Sequence, residues 1–186
     1  CGFDMYAWSK NYKYERIKNV AYKKVDDQIL KLDVYVPEGD GPFPSILVVH
    51  GGAWRLGSKG QLAIYARSLA KRGYTCFAIN YRLAPKFKSP AQTEDCRDAI
   101  RWIRTNASKY KANPDLIGAM GYSAGGHLVS MLATTGLTKE SDPKGIGTKI
   151  IAAVAGGAPT DFRTVRKNSN ALSYWFGAER NTEPEA

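Results

Sequence analysis

Ile46-Leu47-Val48-Val49 is an apolar run with no polar break, and a strand of that kind is stable only when covered on both faces. That demand points to a parallel sheet between helical layers, and the flanking sequence supplies the layers. Leu62, Tyr65, Ala66, Leu69 and Ala70 follow at the spacing of one buried helical stripe, with Gly73 as a stop. Tyr74 to Ile79 reads as a second buried strand. Ser89-Pro90-Ala91-Gln92 then predicts a helix start, with Ser89 as N-cap, Pro90 at the first helical position and Gln92 closing a capping box. The stripe of this helix is Cys96, Ala99, Ile100 and Ile103. Asn113-Pro114-Asp115 ends that unit, Leu116 to Met120 forms the next strand, a helix starts at Ala124, and Ile150 to Ala155 is the last strand. Upstream, residues 15–25 and 29–36 alternate as a hairpin turned at Asp26-Asp27, followed by a loop marked by Gly39, Gly41, Pro42 and Pro44. The expected class is α/β: a mostly parallel sheet with helices on both faces, preceded by an N-terminal β-hairpin. Residues 1–14 are expected to be an extension and 15–186 one domain.

The 186 residues suffice for one core, and no apolar stretch approaches the roughly 20 residues of a membrane-spanning helix. Three cysteines are too few for a disulfide scaffold; Cys76 and Cys96 lie in apolar patterns and read as buried thiols. No zinc-ligand spacing appears, so no metal or organic cofactor is expected. The formal charge of +10 is spread along the chain, and its tightest cluster, Arg163, Arg166 and Lys167, is short. A solvated basic surface explains this better than a nucleic-acid partner. The chain opens at Cys1. A lipid-modified cysteine of a mature bacterial lipoprotein and an arbitrary start are the two readings, the second favoured. A secreted or cell-envelope location is preferred over a cytoplasmic one.

Chemistry enters at Gly121-Tyr122-Ser123-Ala124-Gly125, a G-x-S-x-G between a strand and a helix. Small residues flank the Ser because the turn is tight, and the turn lifts the hydroxyl beyond the end of the sheet. It also puts the Ala124 N–H at a helix start, where partial positive charge gathers. Alone the match is moderate evidence. The second motif, His50-Gly51-Gly52-Ala53-Trp54, follows another buried strand, and its paired glycines let main-chain N–H groups face a cavity, as an oxyanion hole requires. Two such motifs at the C-terminal ends of strands in one sheet reinforce each other.

With these stretches, Asn80-Tyr81-Arg82-Leu83-Ala84-Pro85, the helix around Glu94-Asp95-Cys96-Arg97, and Gly126-His127-Leu128, the chain resembles the α/β-hydrolase superfamily. Within it the resemblance is to esterases with HGG-type oxyanion loops, namely bacterial feruloyl and acetyl xylan esterases, then hormone-sensitive-lipase-like carboxylesterases. It covers about residues 15–160. It implies Ser123 as nucleophile and the N–H groups of Gly52, Ala53 and Ala124 as oxyanion donors. Ala53 stands where the lipase-like group has a third Gly, which leaves the backbone donor intact. Trp54, Tyr81 and Tyr122 are candidates for an acyl or sugar site, with ordinary packing as the equal alternative for each.

The serine needs a base, usually His oriented by a carboxylate, and in this fold the order is Ser, acid, His. Of two His, His50 precedes the serine and is expected to brace the oxyanion loop; His127 lies one helical turn past it and is expected to point into helix–sheet packing. Asp161, just after the last strand, is the only candidate acid at a strand end and is expected to serve as an N-cap or loop tether. The resemblance implies two further strands carrying the acid and the His, so the fold is expected to be incomplete at the C-terminus and these residues alone to be a weak catalyst. The expected activity is a serine carboxylesterase acting on small-molecule or oligosaccharide esters, acetyl or feruloyl. The alternatives are a binding module that kept the elbow alone, or an amidase, formamidase or peptidase of the same fold. Oligomeric state is open.

Overall fold

The structure, a computed structural model, describes residues 11–163 and 170–177. Strand β1 (Tyr14–Val25) turns at Asp26-Asp27 into β2 (Gln28–Pro37), giving the expected hairpin. Then come β3 (Phe43–Val49), α1 (Ala63–Ala70), β4 (Thr75–Ile79), α2 (Ala91–Asn106), a 3-10 turn (Ala107–Tyr110), β5 (Ala112–Tyr122), α3 (Ala124–Thr135), β6 (Ala152–Gly156) and α4 (Asn170–Phe176). The six strands lie in the order β1-β2-β4-β3-β5-β6, antiparallel from β1 through β4 and parallel from β4 to β6.

The apolar run of β3 is central for the reason the sequence suggests. Leu47 and Val49 face one side with Phe77 and Ile79 of β4, their register partners, under the α2 stripe of Cys96, Ala99, Ile100 and Ile103. Val48 faces the other with Cys76 and Ala78, under α1. The period of two thus splits one strand pair between two cores. Cys76 and Cys96 are free and buried, and burial pushes both thiols well above their ordinary pKa.

Three local readings change. The buried face of α1 is Leu62, Ala63, Ala66 and Ala70; Tyr65 is 53% exposed, because the helix rests its alanine side on the small Cys76 and Ala78. The capping box at Ser89 does not form. Helix α2 starts at Ala91 with Pro90 in the cap position, and buried Gln92 turns instead to the Phe87 carbonyl and the Trp175 indole. Asn113-Pro114-Asp115 sits inside β5, not before it. The Asn113 side chain accepts from the N–H of Asp115 and Leu116, and the register with β3 breaks there.

Three inaccessible or nearly inaccessible carboxylates tie loops to this frame. Asp33 on β2 accepts from Arg16 at 2.7 Å and the Asn19 N–H at 2.9 Å, and pairs with Lys59 at 2.7 Å. Asp95 on α2 takes Lys23 at 2.6 Å and the Arg82 N–H and guanidinium. Asp142 takes both nitrogens Nε and Nη2 of Arg101 and the N–H groups of Lys144 and Gly147. Burial alone would raise the Asp33 pKa; hydrogen bonds from Lys59, Asn19 and Arg16 outweigh it and hold the carboxyl below its ordinary value. Asp33→Ala leaves two cations facing a buried site. Breaking a buried pair is worth about 3–5 kcal/mol, and the partial exposure of Arg16 and Lys59 places this case near the bottom, about 3 kcal/mol, measurable by urea denaturation.

Candidate active site

The site grows from the end of β5. Ser123 has φ 53° and ψ −121°, a left-handed conformation for a residue with a side chain, and such outliers cost about 1–3 kcal/mol each. The glycines around it show what holds it there. A Cβ on Gly121 would sit 2.3 Å from the Gly125 carbonyl oxygen, and one on Gly125 would sit 2.2 Å from the Val49 oxygen. Helix α3 therefore meets the sheet backbone to backbone. The Ser123 N–H donates to the Gly156 oxygen of β6 at 2.8 Å, and the His127 N–H donates to the Ser123 oxygen at 3.0 Å to start α3.

The loop after β3 lies against this elbow. A Cβ on Gly51 would be 2.8 Å from the Tyr122 oxygen and 3.3 Å from Ser123 Cβ. Gly52 has φ +109°, its carbonyl accepts from the N–H of Arg55 and Leu56, and a Cβ there would strike the Leu56 oxygen at 2.2 Å. Ala53 and Trp54 follow at φ 50° and 58°, two left-handed residues in series. Among the described residues, the N–H groups of Gly52 and Ala53 donate to no protein acceptor.

Side chains fix the loop from below. The His50 ring stacks on Tyr81 at 4.3 Å, the Tyr81 hydroxyl donates to the His50 carbonyl at 3.0 Å, and His50 Nδ1 lies 2.7 Å from the Gly51 carbonyl, which it can meet only as a donor. Burial lowers the His50 pKa, outweighing the Gly51 bond, so the ring is a neutral brace. Lys59, whose N–H donates to the Asn80 side chain, carries the loop's far end to Asp33.

His127 lies elsewhere than expected. Its ring is not in helix–sheet packing but boxed by Trp54 at 5.4 Å, Phe162 at 5.2 Å and Trp175 at 5.1 Å. Four positions past Ser123, it shares the elbow's flank of α3, where these aromatics close over it. Its Nδ1 is buried without a hydrogen-bond partner among the described residues, and burial lowers its pKa to about 4. Neither imidazole hydrogen-bonds the Ser123 hydroxyl among the described residues. Asp161 is tethered to its own neighbour, accepting from the Arg163 N–H, Nε and Nη2, which holds it down to about 2.

Of the three aromatics, Tyr122 is 59% exposed beside the serine, its ring lying over Gly156 and Gly157. Trp54 and Tyr81 are buried, Tyr81 in its bond to His50 and Trp54 in a parallel stack on Trp175 at 3.9 Å. Sequence reasoning passed over Trp175 and read Gln92 only as part of a capping box. The signal lay in Leu172, Trp175 and Phe176, one helical stripe on α4. No cluster of three His, Cys, Asp or Glu arranged for a metal occurs among the described residues, and none of their helices is long and apolar enough to cross a membrane. Cys1, Arg166 and Lys167 fall outside the described residues.

Comparison with known proteins matches the BD-FAE family model over residues 32–186. The esterase LipC of Mycobacterium tuberculosis is 33% identical over 152 residues, which is 78% of this chain and 37% of LipC. A bifunctional GH43-CE protein of Bacteroides eggerthii superposes with a TM-score of 0.77 at 28% identity, covering 90% of this chain and 25% of that one. The apo form of Thermogutta terrifontis esterase 2 superposes at 0.72 and 28% identity, covering 91% and 63%. The chain thus spans well under half the length of the curated relatives it matches. On this match, and with the α/β-hydrolase fold it shares with these esterases, the chain belongs to the BD-FAE family.

Proposed function

We propose that this chain carries the nucleophile and oxyanion hole of a serine carboxylesterase acting on small acyl esters, acetyl or feruloyl, of plant polysaccharide or similar alcohols. The observation that carries the reading is the left-handed Ser123 at the β5–α3 bend with the Gly51-Gly52 main chain packed against it. Ser123 Oγ attacks the ester carbonyl, passing its proton to a base. The carbonyl oxygen becomes an oxyanion held by the N–H groups of Gly52, Ala53 and Ala124, and the alcohol leaves with a proton to give an acyl-serine that water then hydrolyses. A neutral, boxed His127 and a Gly51-bound His50 are poorly suited to be that base, so the base and its acid are sought in parts of the protein other than these residues. Ester chemistry is supported by the esterase relatives, and a carbohydrate alcohol by the likeness to the GH43-CE protein. Tyr122 is the one candidate aromatic open to a substrate.

A fluorophosphonate probe is expected to label Ser123 in the natural-length protein, with labelling and p-nitrophenyl acetate turnover abolished in Ser123→Ala. Silence of the wild type would favour a binding module instead. Comparing p-nitrophenyl acetate, acetylated xylan and methyl ferulate ranks the substrates. Gly52→Ala, which forces a side chain onto the Leu56 carbonyl, is expected to lower kcat by about 10²-fold or more, the effect of losing one oxyanion donor.

His127 as structure rather than base predicts a pH effect on stability. The unfolded chain binds its proton near the ordinary value of 6.5, the native state only near 4, so stability falls as pH drops from 6.5 to 4. His127→Phe should flatten that slope in thermal melts, though not abolish it, because His50 is shifted the same way.

A further inference from the structure

The two left-handed residues of the oxyanion loop, Ala53 and Trp54, need an outside support, and the fold supplies one through three elements. The Trp54 ring lies flat on Trp175 of α4, centroids 3.9 Å apart and planes 2° apart, both rings almost wholly buried. The Trp175 indole N–H donates to Gln92 Oε1 at 3.0 Å, and Gln92 Nε2 donates to the Phe87 carbonyl at 2.7 Å. Gln92, on α2, is fully buried with both ends of its amide hydrogen-bonded. The main chain repeats the link: the Trp175 carbonyl accepts from the Ser89 N–H at 2.9 Å and the Trp54 carbonyl from the Ala84 N–H at 2.9 Å.

We infer that Gln92 and Trp175 are positioning residues of the oxyanion hole. Gln92 fixes the indole of Trp175, and the indole, through its stack, fixes Trp54 and with it the backbone of Ala53. This rests on the reading of Gly52 and Ala53 as oxyanion donors. The geometry favours it over packing alone because Trp54 is joined directly to a proposed donor residue, and the ring stacked on it is oriented by a side chain of a separate element, α2. A loose stack leaves the donors averaged over several directions. Since the amides act on the charge that develops at the transition state, kcat falls while ground-state binding stays.

The test uses the natural-length protein with Trp175→Leu, Trp175→Phe and Gln92→Leu, measuring p-nitrophenyl acetate kinetics, the rate of Ser123 labelling by a fluorophosphonate, and thermal unfolding. Trp175→Leu should lower kcat ten-fold or more with KM within two-fold and slow labelling in parallel, while Trp175→Phe, which keeps a stacking ring, recovers most of the loss. Gln92→Leu should lower kcat about five-fold and weaken the exciton couplet that two stacked indoles give in circular dichroism. Should Trp175→Leu fail to fold, Gln92→Leu decides. A folded Trp175→Leu or Gln92→Leu variant with kcat within two-fold of wild type, or with only KM raised, overturns the proposal and leaves the Ser123 reading standing. A wild type that neither labels nor turns over overturns both.

Discussion

The contact on which this architecture depends is one between main chains. Helix α3 reaches the sheet at Gly125, whose Cα lies so near the carbonyls of Val49 and His50 that no side chain fits between them. Gly121 grants the same closeness between the end of β5 and the first turn of α3. Because β3 leads into the Gly51-Gly52 loop and β5 into Ser123, this approach brings the two backbones side by side without any side-chain spacer. The left-handed Ser123 is a result of that crowding: the chain must reverse from strand to helix within one residue. Stored strain of this kind persists only where the surroundings over-determine it, and here the β6 carbonyl of Gly156 and the first helical hydrogen bond do so.

Electrostatics serve the frame more than the site. Among the described residues, five of the chain's 27 Lys and Arg side chains serve as counter-charge to acids inside the fold. Arg16 and Lys59 answer Asp33, Lys23 and Arg82 answer Asp95, and Arg101 answers Asp142. Each carboxylate also accepts at least one backbone N–H, so it fixes main chain as well as charge. Around Ser123 the described groups are backbone dipoles, a tyrosine and two imidazoles that burial keeps neutral. On the proposed function, such a site suits a neutral ester and keeps its fixed dipoles for charge that appears during reaction.

Strand and helix order, the hairpin turn and the α2 stripe were legible because each rests on periodicity over many residues. Local details that rest on competition between partners were not. Ser89 and Gln92 have the composition of a capping box, yet the amide finds an indole 83 positions away, a partner that no local rule weighs. Tyr65 fits the helical spacing, but the packing surface of Cys76 and Ala78 prefers alanines. The G-x-S-x-G and HGG stretches were readable because glycine marks places where the backbone itself must approach or turn. Trp54 was placed correctly in the loop, whereas its partner Trp175 could not be paired with it from sequence, since stacking leaves no pattern in the chain.

Strand β6 is paired on one side only among the described residues. Ile151 and Val154 are each 64% exposed, where a parallel strand is ordinarily covered. Among the described residues its other side presents N–H and C=O groups beside apolar side chains, a composition suited to pairing with a further strand. The same strand supplies the Gly156 carbonyl that anchors the Ser123 amide. Loosening of β6 would therefore slacken the Ser123 tether before the α2 core melted, so the bend at the serine is only as firm as the strand beside it.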